Sequence, residues 1–120
     1  ETVIASCIVG LLACALLVVN NLRDIPGDTT ANKLTLAVRM GDAMTRKLYY
    51  AMFLYVVLLI LLLGVRDRSV LIALVGLVTA FPALKAVRAG ALGRELIPVL
   101  GATGKAQLAI GLLLAAGLAL

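Results

Sequence analysis

The chain has 120 residues, 63% of them hydrophobic, and a mean hydropathy of +1.15. Soluble domains are nearer half apolar, so a water-soluble fold is excluded and lipid must be the solvent for much of the surface. Eleven Lys and Arg against six Asp and Glu leave a net charge of +5. With three Tyr, two Phe and no Trp, basic membrane loops account for that charge and no nucleic-acid partner is expected.

The chain opens at Glu1 and enters an uncharged apolar run at once, residues 2–19. No basic region precedes the run and no small-residue cleavage site follows it, so it does not read as a signal peptide. The chain is expected to be part of a longer protein. Eighteen residues are near the lower limit for crossing a hydrocarbon core of about 30 Å. Cys7 and Cys14 would be separated by about 10 Å of helical rise, too far for a disulfide. With no His in the chain, both are expected as packing residues in a reducing setting.

Directly after this run comes Asn20-Asn21-Leu22-Arg23-Asp24-Ile25-Pro26-Gly27-Asp28, then Lys33-Leu34-Thr35-Leu36-Ala37-Val38-Arg39-Met40-Gly41. Asp24 and Asp28 are one helical turn apart, so a continuing helix would present both on one face. Carboxylates suit a hard cation such as Mg²⁺, which takes one or two of them and completes its octahedron with water and phosphate oxygens. Arg23, Lys33 and Arg39 could neutralise the remaining phosphate charge. By itself the spacing also fits a solvated loop at a membrane boundary. Pro26 and Gly27 predict a kink or helix end between the two carboxylates. The segment over 20–47 is therefore expected as a loop, with a short helix bearing Leu36, Val38 and Met40 capping the site.

Asn20-Asn21-x-Arg23-Asp24-x-x-x-Asp28, with Lys33-x-Thr35-Leu36-Ala37-Val38-Arg39-x-Gly41 after it, resembles the second aspartate-rich motif of the UbiA superfamily of intramembrane prenyltransferases. The Asn-Asn-x-Arg-Asp opening and the Thr-Leu-Ala-Val-Arg ending are most similar to its menaquinone branch, whose acceptor is 1,4-dihydroxy-2-naphthoate. The motif covers about a fifth of the chain, and the order of later spans also fits. Asn32 stands where the branch has Gly, and Leu34 where a basic residue is frequent. The resemblance implies an all-α, multi-span transmembrane bundle in which residues 1–120 supply four spans of nine, the C-terminal half of one domain. It implies Mg²⁺ held by the catalytic pair Asp24 and Asp28, with Lys33, Arg39 and Arg23 on diphosphate and Asn20 and Asn21 supporting the metal ligands. The implied partners are a polyprenyl diphosphate, an aromatic acceptor, membrane lipid and the N-terminal half of the same protein. The 120 residues alone are expected to be inactive.

The second span is expected over 48–65, with Tyr49 and Tyr50 in an aromatic belt at the membrane surface. A tight turn, Arg66-Asp67-Arg68, leads to a third span over 69–87, kinked near Pro82. A polar connection with Arg88, Arg94 and Glu95 precedes the last span, 98–120. The first and third connections carry Arg23, Lys33, Arg39, Arg46, Lys47, Lys85, Arg88, Arg94 and Lys105, nine of the eleven cations, and the turn between them has Arg66 and Arg68. That bias puts the motif on the cytoplasmic side and the C-terminus outside, and the resemblance implies a bacterial cell membrane. Three alternatives remain. A phosphatidyl-type alcohol transferase lacks its Asp-Gly-x-x-Ala-Arg opening here. The others are a different UbiA-type aromatic prenyltransferase and a non-catalytic bundle such as a transporter half.

Overall fold

A computed structural model describes residues 1–120. It is all helical, without strands: α1 (Thr2–Thr30), α2 (Leu36–Met40), α3 (Asp42–Gly64), a 3₁₀ helix (Arg68–Ala80) leading into α4 (Phe81–Arg88), a 3₁₀ turn (Gly93–Leu96) and α5 (Ile97–Ala119). Four helical stretches are long and apolar enough to cross a membrane, namely α1, α3, Arg68–Arg88 and Gly93–Ala119. They alternate in direction, so the C-terminal ends of α1 and α4 share one end of the bundle with the N-terminal ends of α3 and α5. The bundle measures 50 × 24 × 17 Å, long enough to pass through a core of about 30 Å.

Each long helix buries one stripe. Ile8, Leu12, Ala15, Val19 and Leu22 of α1 recur at alternating intervals of four and three, as one face of an α-helix requires. Tyr49, Phe53, Val56, Ile60 and Leu63 do the same on α3. Val99, Thr103, Ala106, Ile110 and Leu114 line one face of α5 at intervals of four, three, four and four. Only 26 of 120 residues are buried. Most apolar side chains therefore face outward, where lipid or further protein must cover them.

The third crossing differs from the α-helix expected over 69–87. Its first thirteen residues form a 3₁₀ helix, unusually long for that geometry. Three residues per turn bring Val70, Ala73 and Gly76 into a straight stripe, buried against α5. A Cβ on Gly76 would lie 2.9 Å from the backbone nitrogen of Ile110, and one on Gly117 would lie 2.7 Å from Val70 Cα. This seam is backbone against backbone. Pro82 does not kink a continuous helix. It sits in the first turn of α4, where a missing N–H costs nothing. Pro98 opens α5 in the same way. Lys105, counted with the connection in sequence, lies inside α5 and exposed, where its long stem can carry the ammonium toward the interface.

Tyr49 also departs from the belt position. Tyr49 is fully buried, its hydroxyl 2.8 Å from Thr103 Oγ1. Thr103 Oγ1 gives its own proton to Val99 O at 2.7 Å, so Tyr49 is the donor. Tyr50 donates to the carbonyl of Leu84 and so ties α3 to α4. Both rings face neighbouring helices because each phenol has a partner there.

Candidate functional site

The charged stretch expected as a loop from residue 20 lies on α1, which continues through Pro26 to Thr30. Pro26 removes one backbone bond, yet the helix end beyond it is strongly closed. Lys33 N donates to Asp28 O (2.8 Å) and Asn32 N to Thr29 O (3.2 Å), the paired bonds of a Schellman cap. The cap needs a left-handed residue, and Asn32 supplies it with φ of 55°. Asn tolerates that region where most residues do not. So Asn32 does what Gly would do at this position, and the path into Lys33 is kept. Leu34 beyond it is exposed and makes no polar contact.

Continuing the helix puts Asn20, Asp24 and Asp28 at successive turns, a stripe of one amide and two carboxylates over about 12 Å. Arg23 grips this stripe. Its Nε is 2.8 Å from Asp24 Oδ1, and Nη2 reaches Asp24 Oδ2 (3.2 Å) and Asn20 Oδ1 (2.9 Å). Through the cap, Lys33 folds back until Nζ is 3.8 Å from Asp28 Oδ1. The lysine side chain is 67% exposed and the aspartate 14%, so the ammonium remains open to an incoming anion. The structure thus joins Asn20, Arg23 and Asp24 in one cluster and Asp28 with Lys33 in the next.

Arg39 stands apart. It ends α2, whose start is fixed by Thr35, with Val38 N donating to Thr35 Oγ1 at 3.2 Å. Arg39 is exposed and outside the three ion pairs of the chain. Asn21 points elsewhere, lining an apolar cavity of about 200 Å³ under α2 with Leu36, Met40, Thr45 and Met52. Asn20 instead ends an open groove of about 470 Å³ that follows Ala13, Leu16 and Leu17 along α1 and is bounded by Leu100.

No group of three or more carboxylate, thiol or imidazole side chains gathers anywhere in the chain. Two carboxylates one turn apart still fit a hard divalent cation, which takes one or two and fills its other positions with water and phosphate oxygens. The donor set is all oxygen, as such an ion requires. Any such ion would compete with Arg23 for Asp24.

One residue at this end was legible only as a topological charge. Arg46 forms a fork on Asp42 (Nε–Oδ1 2.7 Å, Nη2–Oδ2 3.1 Å) and donates to Val87 O (2.8 Å) and Ala91 O (2.7 Å). It thereby satisfies carbonyls at the C-terminal end of α4 and meets the negative end of that helix dipole. The i, i+4 spacing to Asp42 was the readable signal. The reach to α4 was not.

Residues 1–96 match the UbiA prenyltransferase family. The chain is 47% identical over 110 residues to 1,4-dihydroxy-2-naphthoate octaprenyltransferase of Mycobacterium tuberculosis (strain ATCC 25618 / H37Rv), an alignment covering 92% of this chain and 38% of that protein. It is 42% identical over 111 residues to the protein of the same name from Mycobacterium leprae (strain TN), with the same coverage of each. The chain therefore spans less than two fifths of the length of these curated relatives. No solved structure matches it significantly.

Proposed function

Because the chain belongs to the UbiA prenyltransferase family, we propose that it forms part of an integral membrane enzyme that moves a polyprenyl group from its allylic diphosphate to 1,4-dihydroxy-2-naphthoate, in menaquinone biosynthesis. The observation that carries this reading is the Asn20–Asp24–Asp28 stripe, with Arg23 and Lys33 already seated on its carboxylates. Relatives named for octaprenyl transfer to that acceptor support the choice of substrates.

In this reading Asp24 and Asp28 would hold Mg²⁺, which when bound would supply charge neutralisation on the diphosphate. Arg23 and Lys33 keep the empty carboxylates neutralised, and they turn their donors to phosphate oxygens when diphosphate arrives. Arg39, unpaired at the end of α2, is a third contact for the anion. Asn20 keeps Arg23 oriented through its amide oxygen. The groove from Asn20 toward Ala13 provides an apolar path for the first part of the prenyl tail and keeps water from the cation. The electron-rich ring attacks the allylic carbon as its bond to oxygen breaks and diphosphate departs. The ring regains aromaticity by shedding the group at the attacked carbon, a proton to the departing diphosphate or the carboxylate as CO₂. The nine-to-two distribution of cations supports a cytoplasmic motif end and an outer C-terminus.

The test uses the full-length protein in membranes. Asp24→Asn and Asp28→Asn keep size and remove charge, and each should lower prenyl transfer by about 10²–10³-fold while the amount of folded protein is unchanged. Wild-type turnover with an unchanged Mg²⁺ requirement in both variants would overturn the assignment. Mg²⁺-dependent transfer by the isolated 120 residues would overturn the expectation that they are inactive alone.

A further inference from the structure

Away from the motif, α3 and α4 enclose a groove of about 210 Å³ lined by Tyr50, Phe81, Leu84, Lys85 and Arg88. Lys85 and Arg88 are three residues apart on α4, so about 4.5 Å of rise separates them along one side of the helix. Both are exposed, and neither takes part in any of the three ion pairs. The nearby guanidinium of Arg46 is already committed to Asp42, Val87 O and Ala91 O. Phe81, one turn before Lys85, is 66% exposed and continues the groove away from the cations. The Tyr50 hydroxyl on Leu84 O holds the two walls together. The result is a short amphipathic slot at the end of a membrane-crossing helix, with two unpaired cations at its mouth and an apolar floor below them.

We propose that this groove binds one anionic phospholipid, its phosphate between Lys85 and Arg88 and an acyl chain over Leu84 and Phe81. The charge arrangement selects an anion, and the apolar continuation selects an amphiphile over a free phosphate. Basic pockets between membrane helices commonly hold anionic head groups for these reasons. The proposal stands independently of prenyl transfer, since none of the five residues belongs to the motif.

The experiment uses the full-length protein in a mild nonionic detergent. Thermal unfolding and native mass spectrometry are followed with added dioleoylphosphatidylglycerol, dioleoylphosphatidylcholine or inorganic phosphate. Phosphatidylglycerol should raise the midpoint and stay bound as a single lipid, while phosphatidylcholine and phosphate at matched concentration should not. Each lost cation should weaken retention about fivefold, and Lys85→Gln with Arg88→Gln together about thirtyfold. Phe81→Ala should shorten retention without altering the preference for anionic head groups. Arg66→Gln, at the opposite end of the bundle, should leave retention unchanged. Both groove cations are exposed, so their replacement should preserve the fold, and Lys85→Arg should restore binding. Equal retention of both lipids, or undiminished phosphatidylglycerol binding in the double variant, would overturn the proposal. A shift produced equally by inorganic phosphate would overturn the lipid and leave a simple anion site. No binding of any of the three would likewise overturn it.

Discussion

The motif end of α1 and the seam between the 3₁₀ helix and α5 are held by opposite means. At the motif end, order comes from polar closure: a Schellman cap, an arginine fork and a lysine turned back onto Asp28. Most of those groups remain in reach of solvent. At the seam, order comes from absence, because Gly76 and Gly117 leave no side chain between two backbones. The first region can exchange partners without repacking anything, while the second cannot move without creating a clash or a void. The proposed ion binding falls in the region whose partners are exchangeable.

The comparison is broken most severely at the seam. Gly76→Val and Gly117→Val should each destabilise the folded protein by about 1–3 kcal/mol, because backbone atoms are among those opposed and cannot rotate away. Membrane yield and thermal midpoint read this, and Gly10→Val, with open space around it, is the control. Unchanged midpoints would mean that the close approach is not what holds the seam.

At the other region Lys33→Ala should spare stability and weaken prenyl-diphosphate binding. A charge-assisted contact contributes about 1.5–3 kcal/mol, or roughly 10- to 150-fold in affinity. The dependence on the aromatic acceptor should stay constant, since the ring carries no diphosphate. A substrate series with an unchanged prenyl-diphosphate response would make Lys33 a solvated charge only.

Asn32 sharpens the contrast, because there backbone geometry serves the polar region. Asn32→Gly should be close to neutral, and Asn32→Val should cost about 1–2 kcal/mol for a left-handed β-branched residue. If the cap seats Lys33, the valine variant should also show part of the Lys33→Ala binding defect. Full affinity in that variant would separate the cap from the site.

The smallest effect is expected at the turn before the 3₁₀ helix. The Ser69 hydroxyl, and then its amide, hydrogen-bond to Asp67 and hold that carboxyl below the ordinary range. A depressed folded value means stabilisation that is present above the unfolded pKa and lost as pH falls through the folded one, so below about pH 4. Unfolding of wild type and Asp67→Asn should differ slightly at neutral pH and converge in acid. A difference that grows on acidification would reverse the sign.

The four crossings were legible because apolar runs of membrane length are hard to mistake, and the motif was legible because its residue types and spacing are dense. The continuation of α1 to Thr30 was not, since Pro26 and Gly27 both argue locally for a break. What overrides them is a cap assembled by Asp28, Thr29 and Lys33, and a cap is a property of the backbone path. The burial of Tyr49 was hidden for a different reason. Its partner Thr103 lies 54 residues away, and aromatic residues near a span end ordinarily mark the interface. The 3₁₀ stretch was hidden because periods of 3.0 and 3.6 cannot be told apart over thirteen residues whose outer side is also apolar.

That stretch has a mechanical consequence. Thirteen residues wound as 3₁₀ helix cover about 26 Å, against about 20 Å as α-helix. The third crossing is therefore longer than its residue count implies, and its length is tied to its winding. A membrane segment meeting a thinner bilayer must shorten, tilt or thin the lipid around it. Here shortening by rewinding would rotate Gly76 away from Ile110 and open the seam. Tilting keeps the glycines in register, so this crossing should meet a thin bilayer by leaning as a rigid pair with α5.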